Sequence, residues 1–384
     1  MADIETILAA ARKHCDDVVK PSVDNWNEVG VWPRSASDQA AKAGLLGLYC
    51  PTEFGGQGLS LEDGIRVYEE LGKGDGAYAF TLSMHNIVSF AVCGFGSDSF
   101  KQKWAKKLTS GEALGGFVLT EPQSGSDAGA LVTRAVVNDD GSYTITGRKA
   151  WVSLSNEADI FLLVVKTSDE RGHSDIAMVA VPRDAKGVRF SERYETPSYN
   201  FLPLSDMHLD QVTVPADHVI LPPGKGLGGA LMAIDIARTS IAAGCCGLIE
   251  AALDTALSFA SQRNMFGKTE LDLQGIQWML SDVAHDLEIS RLLYRKAAGL
   301  VGTPEGPVAA AHAKLYAPDA ALRAAATCTQ LLGGYGLLKP YQMDRLSRLA
   351  QMLKIVDGTT EIQRVVISRS LKNRAKDLGP VTMP

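Results

Sequence analysis

Phe117-Val118-Leu119-Thr120-Glu121-Pro122-Gln123-Ser124-Gly125-Ser126-Asp127 opens as an apolar strand and closes as a loop of small and hydroxyl-bearing residues. Such a loop lets backbone N–H groups and hydroxyls approach a flat polar ring closely, because glycine lacks a Cβ and hydroxyls both donate and accept. A strand that simply turns, with no ligand, reads the same way in isolation. The chain on either side has to decide.

Residues 1 to about 115 read as helices with polar joints. Ser60-Leu61-Glu62-Asp63 resembles a capping box, and the helix that it starts carries Ile65, Val67, Tyr68 and Leu71. Pro51-Thr52-Glu53-Phe54-Gly55-Gly56 before it is a turn-rich connection. From about 116 to 222 the pattern changes to short alternating or apolar runs. Tyr143-Thr144-Ile145-Thr146 alternates with period two, just after the hairpin signal Asp140-Gly141. Ile160–Val165 and Ile176–Val181 read as buried strands, and Pro197–Leu202 as a further strand segment. After Pro222-Pro223-Gly224-Lys225-Gly226 the chain turns helical to its end. Leu273, Ile276, Leu280, Val283, Leu287 and Tyr294 keep the near-heptad spacing of a packed helix. The order predicts an α+β fold, a helical bundle interrupted by a small β-barrel or sandwich. Its expected parts are an all-α domain (1–115), a middle β domain (116–222) and a four-helix-bundle-like domain (223–384).

Composition narrows the function class. The 384 residues are 46% hydrophobic and 21% charged, the profile of an ordinary globular protein with a substantial core. A formal charge of −6 argues against nucleic acid, which needs a concentrated basic face. Cys15, Cys50, Cys93, Cys245, Cys246 and Cys328 form no CxxC pair, so neither a zinc site nor a disulfide framework is expected. Reduced, buried thiols in a cytoplasmic protein are the plainer reading. Met1-Ala2-Asp3-Ile4-Glu5 lacks the basic start of a secretory signal, and no uninterrupted apolar run reads as a bilayer span.

The Phe117–Asp127 stretch resembles the first signature of the acyl-CoA dehydrogenase family, and further matches follow in the family's order. Lys149-Ala150-Trp151-Val152-Ser153 is similar to a segment that lies against the flavin ring. Arg263-Asn264-Met265-Phe266-Gly267, with Gln274 following, matches an Arg-x-x-Phe-Gly loop. Gln330-Leu331-Leu332-Gly333-Gly334-Tyr335-Gly336 and Ile355-Val356-Asp357-Gly358-Thr359-Thr360-Glu361-Ile362-Gln363-Arg364 match the C-terminal signatures without a gap. The resemblance spans nearly the whole chain and implies the acyl-CoA dehydrogenase-like architecture of helical, β and helical domains.

The resemblance also implies roles. FAD would be touched by Phe117, Leu119, Thr120, Gly125, Ser126, Trp151, Ser153, Thr359 and Glu361. Arg263, Phe266, Gln274, Gln330, Gly333 and Gly334 would serve the dinucleotide end, with Arg263 reaching from a neighbouring subunit; an Arg fork suits phosphate oxygens. Ser126, Asp235, Arg238 and Arg369 would line the path of an acyl-CoA, or of an acyl-carrier thioester. Asp357 takes the place of the catalytic base, with electron-transfer flavoprotein as acceptor and a homotetramer as the assembly.

Departures from the family pattern matter as much. Asp357 stands where the family usually carries Glu. One methylene fewer withdraws the carboxylate by about 1 Å, and misplacement on that scale costs about 10²-fold. The backbone could compensate, the substrate could sit differently, or the chemistry could differ. A family variant with its base on the preceding helix has Glu where this chain has Ala237, so Asp357 remains the base. Leu349 replaces an Asp after Arg348, and Pro197–Leu202 lacks the usual Gly, Arg and Ser. Two rival readings follow: a nitroalkane oxidase-like enzyme using an Asp base and oxygen, and a flavin-binding subunit of a heteromeric complex.

Overall fold

The computed structural model describes residues 3–168 and 175–378. The N-terminal part runs through α1 (Ile4–His14), α2 (Lys20–Val29), α3 (Arg34–Lys42), α4 (Leu61–Gly74), α5 (Gly76–Phe95) and α6 (Asp98–Ser110). Ser60 caps α4 as the sequence predicts, its hydroxyl accepting from the Asp63 amide at 3.0 Å. Asp75 caps α5 in the same manner, accepting from Tyr78 N at 2.7 Å.

The middle part is a sheet built from β1 (Gly115–Val118), β2 (Arg134–Val137), β3 (Tyr143–Ser153), β4 (Ile160–Lys166), β5 (Ile176–Pro182), β6 (Val188–Phe190), β7 (Leu204–Val214) and β8 (Val219–Leu221). The strand order is β6-β7-β3-β2-β4-β5-β8, and β1 lies parallel to β4. β2 and β3 form the hairpin expected around Asp140-Gly141. β4 and β5 are buried on both faces, which explains their unbroken apolar runs. Pro197–Leu202 is not a strand. Asn27 and Asn200 side chains hold it as a loop, and Phe201 and Leu202 are buried under the N-terminal helices. Their apolar character comes from that anchoring.

The chain then returns to helix with α7 (Gly226–Gln262), the short hairpin β9 (Asn264–Met265) and β10 (Lys268–Thr269), α8 (Gln274–Ala298), α9 (Gly306–Leu332), α10 (Met343–Ile355) and α11 (Thr360–Asp377). Leu280, Val283, Leu287 and Tyr294 point into the core from α8, while Leu273 sits at its N-cap. The 20-residue α5 and the 37-residue α7 are long and apolar enough to cross a membrane by length and composition. Their most apolar windows are 83% and 94% buried inside the fold, so they are core helices.

α4 and α7 approach to backbone contact. A Cβ on Gly72 would lie 2.2 Å from Gly244 O, and one on Gly247 would lie 2.2 Å from Glu69 O. Beside this crossing the buried Glu69 carboxylate accepts from Arg291 Nε at 2.6 Å and from the Tyr294 hydroxyl, which ties α8 to the pair. This crossing fixes α7, the helix that carries Asp235 and Arg238. All six cysteines are free and buried.

Candidate active site

Asp357 sits on the turn between α10 and α11 with φ 53, a left-handed conformation that Asp tolerates better than most residues. It does not cap α11; Thr359 does, its hydroxyl facing Ile362 N at 3.4 Å. Three side chains hold the turn by its carbonyls. Arg238 Nε donates to Asp357 O at 3.1 Å, while Lys314 Nζ and Gln363 Nε2 both donate to Gly358 O, at 2.8 and 2.7 Å. Gly358 has φ 100, and a Cβ there would lie 3.0 Å from both Arg238 Nη2 and Gln363 Nε2. The turn therefore needs glycine on both conformational and steric grounds.

The Asp357 side chain is half-buried, and its Oδ2 is buried with no hydrogen-bond partner. Burial pushes its carboxyl up to about 6, against the opposing pull of the Lys314 and Arg238 charges. Among the described residues the Asp357 amide has no acceptor either. One turn of α7 brings Asp235 to the same place: its carboxylate pairs with Arg238 Nη1 at 3.2 Å, and burial raises it to about 6.

The second group of expected site residues lies at the end of β1 and on β3. A β-bulge between Lys149 and Val152 turns the chain so that Trp151 has φ 57 and its indole is 61% exposed. Tyr194 packs against that indole with centroids 4.6 Å apart. Ala150 N donates to Thr120 O at 2.9 Å, which joins the bulge to the loop after β1. Phe117, Leu119, Thr120 and Ser153 are half-buried there, and Gly125 and Ser126 are exposed. The amides of Gly125 and Ser126 have no partner among the described residues. An open aromatic plate and free N–H groups on the adjoining loop suit a flat, hydrogen-bonding ring.

A buried ion pair underlies this loop. Lys149 Nζ contacts Glu121 Oε1 at 2.8 Å, with both side chains inaccessible, and also donates to Leu119 O and Val164 O. The Glu121 carboxylate accepts the amides of Val132 and Thr133 as well. A third place is the meeting of the C-terminal ends of α7 and α9, which brings Arg263 to Gly333. Phe259 and Tyr335 pack there at 5.4 Å, and Arg263 Nη1 would lie 3.7 Å from a Cβ on Gly333. Arg263 also pairs with Glu270 at 3.1 Å. Phe266 and Gly267 both have positive φ at the tip of the β9–β10 hairpin, leaving Phe266 88% exposed. Gln274 and Gln330 are exposed, and no neighbouring atom lies within 4 Å of a Cβ on Gly334. Glu361 and Arg369 are exposed on α11.

Lys314 and Gln363 were not singled out by sequence reasoning. The available signal was a single cation inside Ala309-Ala310-Ala311-His312-Ala313-Lys314-Leu315-Tyr316-Ala317, an otherwise apolar helix. Leu349, the unexpected residue after Arg348, packs into the core, while Arg348 pairs with Asp344 on its own helix.

Three family models match in succession: the acyl-CoA dehydrogenase N-terminal domain over residues 1–112, the middle domain over 116–212 and the C-terminal domain over 224–372. A probable acyl-CoA dehydrogenase of Bacillus subtilis is 34% identical over 92% of this chain and 93% of its own length. The butyryl-CoA dehydrogenase of Megasphaera elsdenii superposes with a TM-score of 0.91 at 31% identity, covering 97% of this chain and 99% of that one. A glutaryl-CoA dehydrogenase of Mycobacterium smegmatis, solved in complex with FADH2, gives a TM-score of 0.88 at 27% identity over 97% and 95% of the two chains. With matches running from the first helix to α11 at these identities, the chain belongs to the acyl-CoA dehydrogenase family.

Proposed function

We propose that the protein is an FAD-dependent enzyme that removes hydrogen across the Cα–Cβ bond of an acyl-CoA thioester, with Asp357 as the base. The observation that carries the reading is the Asp357 turn: an unpartnered carboxylate oxygen beside a free backbone amide, clamped by Arg238. A base must lie within hydrogen-bond reach of the proton that it takes, and its pKa must lie near the working pH. A carboxyl raised by burial meets the second condition, and the fixed turn is a means to the first.

The residues present fit FAD. Trp151 offers an exposed plate, and the Gly125 and Ser126 amides and the Thr120 hydroxyl are polar groups for a ring edge. Arg263 is a fork for phosphate oxygens, and the open space at Gly334 admits close approach. When bound, FAD supplies the acceptor for the β-hydrogen and its electron pair. The α-proton goes to Asp357, and the two electrons of the Cα–H bond form the new double bond. The Asp357 amide would donate to the thioester carbonyl, where negative charge develops. Asp235 and Arg238 are assigned to the substrate side, with Ser126 and Arg369 as further contacts. Thr359 and Glu361 are assigned to the cofactor side.

The division into residues 1–115, 116–222 and 223–384, a homotetramer and electron-transfer flavoprotein as acceptor complete the proposal. The oxidase-like reading is not favoured by relatives named acyl-CoA dehydrogenases at this identity and coverage. The test is anaerobic titration of the purified flavoprotein with a panel of acyl-CoAs. Bleaching by one class is expected, absent in Asp357→Asn with FAD content unchanged. Undiminished bleaching in that variant would remove Asp357 from the chemistry.

A further inference from the structure

A buried cation lies beneath the Asp357 turn, outside the proposed chemistry. Lys314 lies in α9 and is 1% exposed. Its Nζ donates to Lys354 O at 2.9 Å and to Gly358 O at 2.8 Å. Lys354 belongs to the last turn of α10, where carbonyls lack helical partners. Gly358 follows Asp357 directly. The ammonium thus staples the chain on both sides of the residue with φ 53. A neutral amide, Gln363, already holds the Gly358 carbonyl from α11. A buried lysine is costly, so a second donor carrying full charge asks for a reason beyond the hydrogen bond.

We infer that Lys314 is a positioning residue for the proposed base: it fixes the left-handed turn that presents the Asp357 carboxylate and supplies positive charge directly beneath it. The inference rests on the function proposed above. Other charged and titratable groups face the turn from α7, α10 and α11. α7 contributes Arg238, Asp235 and the Cys245 thiol; α11 contributes the exposed Glu361; on α10, Lys354 is paired with Asp319 at 2.6 Å. Lys314 and Arg238 are the two cations acting on the Asp357 carboxylate, and Arg238 is shared with Asp235. Burial pulls Lys314 itself down to about 8, which still leaves it charged at neutral pH.

The test compares Lys314→Gln, which keeps a donor but removes the charge, with Lys314→Met, which removes both. Gln363→Met removes the uncharged clamp on the same carbonyl. Flavin reduction by the best acyl-CoA is followed anaerobically as a function of pH, alongside FAD content and assembled size. An opposite charge at close range shifts a carboxyl by about one unit or more. Both Lys314 variants should therefore move the acid limb of the profile up by at least about one pH unit, slowing reduction about tenfold on that limb. Gln363→Met should slow reduction without moving the limb. A Lys314→Gln profile that coincides with the unmodified protein's would overturn the inference. So would failure of both Lys314 variants to fold, which would make the lysine purely structural. If no acyl-CoA bleaches the unmodified protein, the proposed function fails instead, and the two failures are told apart.

Discussion

Replacing Glu121 by glutamine tests whether the loop after β1 depends on its buried charge. Lys149 uses its ammonium hydrogens on Glu121 Oε1, Leu119 O and Val164 O, at 2.8, 3.0 and 2.7 Å. Burial pulls it down to about 8 while Glu121 pulls it up. Without the carboxylate the charge is stranded, and breaking a buried pair from one side costs about 3–5 kcal/mol. A second route gives a ceiling. Folding with a neutral amine at pH 7 means losing a proton from a group whose unfolded pKa is about 10.4, which is about 3.4 units or about 4.6 kcal/mol. The two figures agree, so Glu121→Gln should lose about 3–5 kcal/mol of stability at pH 7 in urea unfolding read by circular dichroism.

The neutral amine grows cheaper by about 1.4 kcal/mol for each pH unit, and the unmodified protein also sheds the Lys149 proton above about 8, so at pH 9 the loss should shrink to below about 2 kcal/mol. The sign follows from linkage. Lys149 is lowered in the folded protein, so the unfolded chain binds the extra proton and stability rises with pH above the folded value. A loss below about 1 kcal/mol at pH 7, or one identical at pH 7 and 9, would refute the reasoning.

Four further outcomes are expected. The rate of flavin reduction should rise as pH passes upward through about 6, because Asp357 must be ionised to accept a proton; a flat profile between pH 5 and 8 would exclude it. Gly247→Ala should cost about 1–3 kcal/mol or more, because its Cβ would meet Glu69 O at 2.2 Å and Lys73 N at 2.6 Å. Gly244→Ala meets nothing nearer than 3.8 Å and should be neutral or stabilising by up to about 1 kcal/mol, read by thermal melting. Arg263→Ala should lower FAD content on purification without changing the helical signal; unchanged content would detach that loop from the cofactor.

Local signals were legible where the physics is local. The Ser60 cap, the Asp140-Gly141 hairpin and the unbroken strands at Ile160 and Ile176 follow from turn chemistry and periodicity over a few residues. Pro197–Leu202 misled because a loop anchored by two buried apolar side chains and a pair of asparagines carries the same composition as a strand. In α5, Thr81, His85, Asn86 and Ser89 interrupt the apolar run, yet those polar side chains bond within the buried bundle. The candidate site residues were found as ordered motifs, but no spacing announced that Arg238 would grip Asp357 O across 119 residues.

From the residues alone came the helix–sheet–helix order, the exclusion of a basic nucleic-acid face and the placement of an aspartate in a turn before a helix. These depend on interactions between near neighbours or on totals over the chain. The tertiary structure alone decided that Asp357 would be left-handed, half-buried and unpartnered at Oδ2, with Lys314 and Gln363 sharing the next carbonyl. Burial and long-range hydrogen bonding set the charge state of a carboxylate. Both arise only when α7, α9 and α11 converge on one turn.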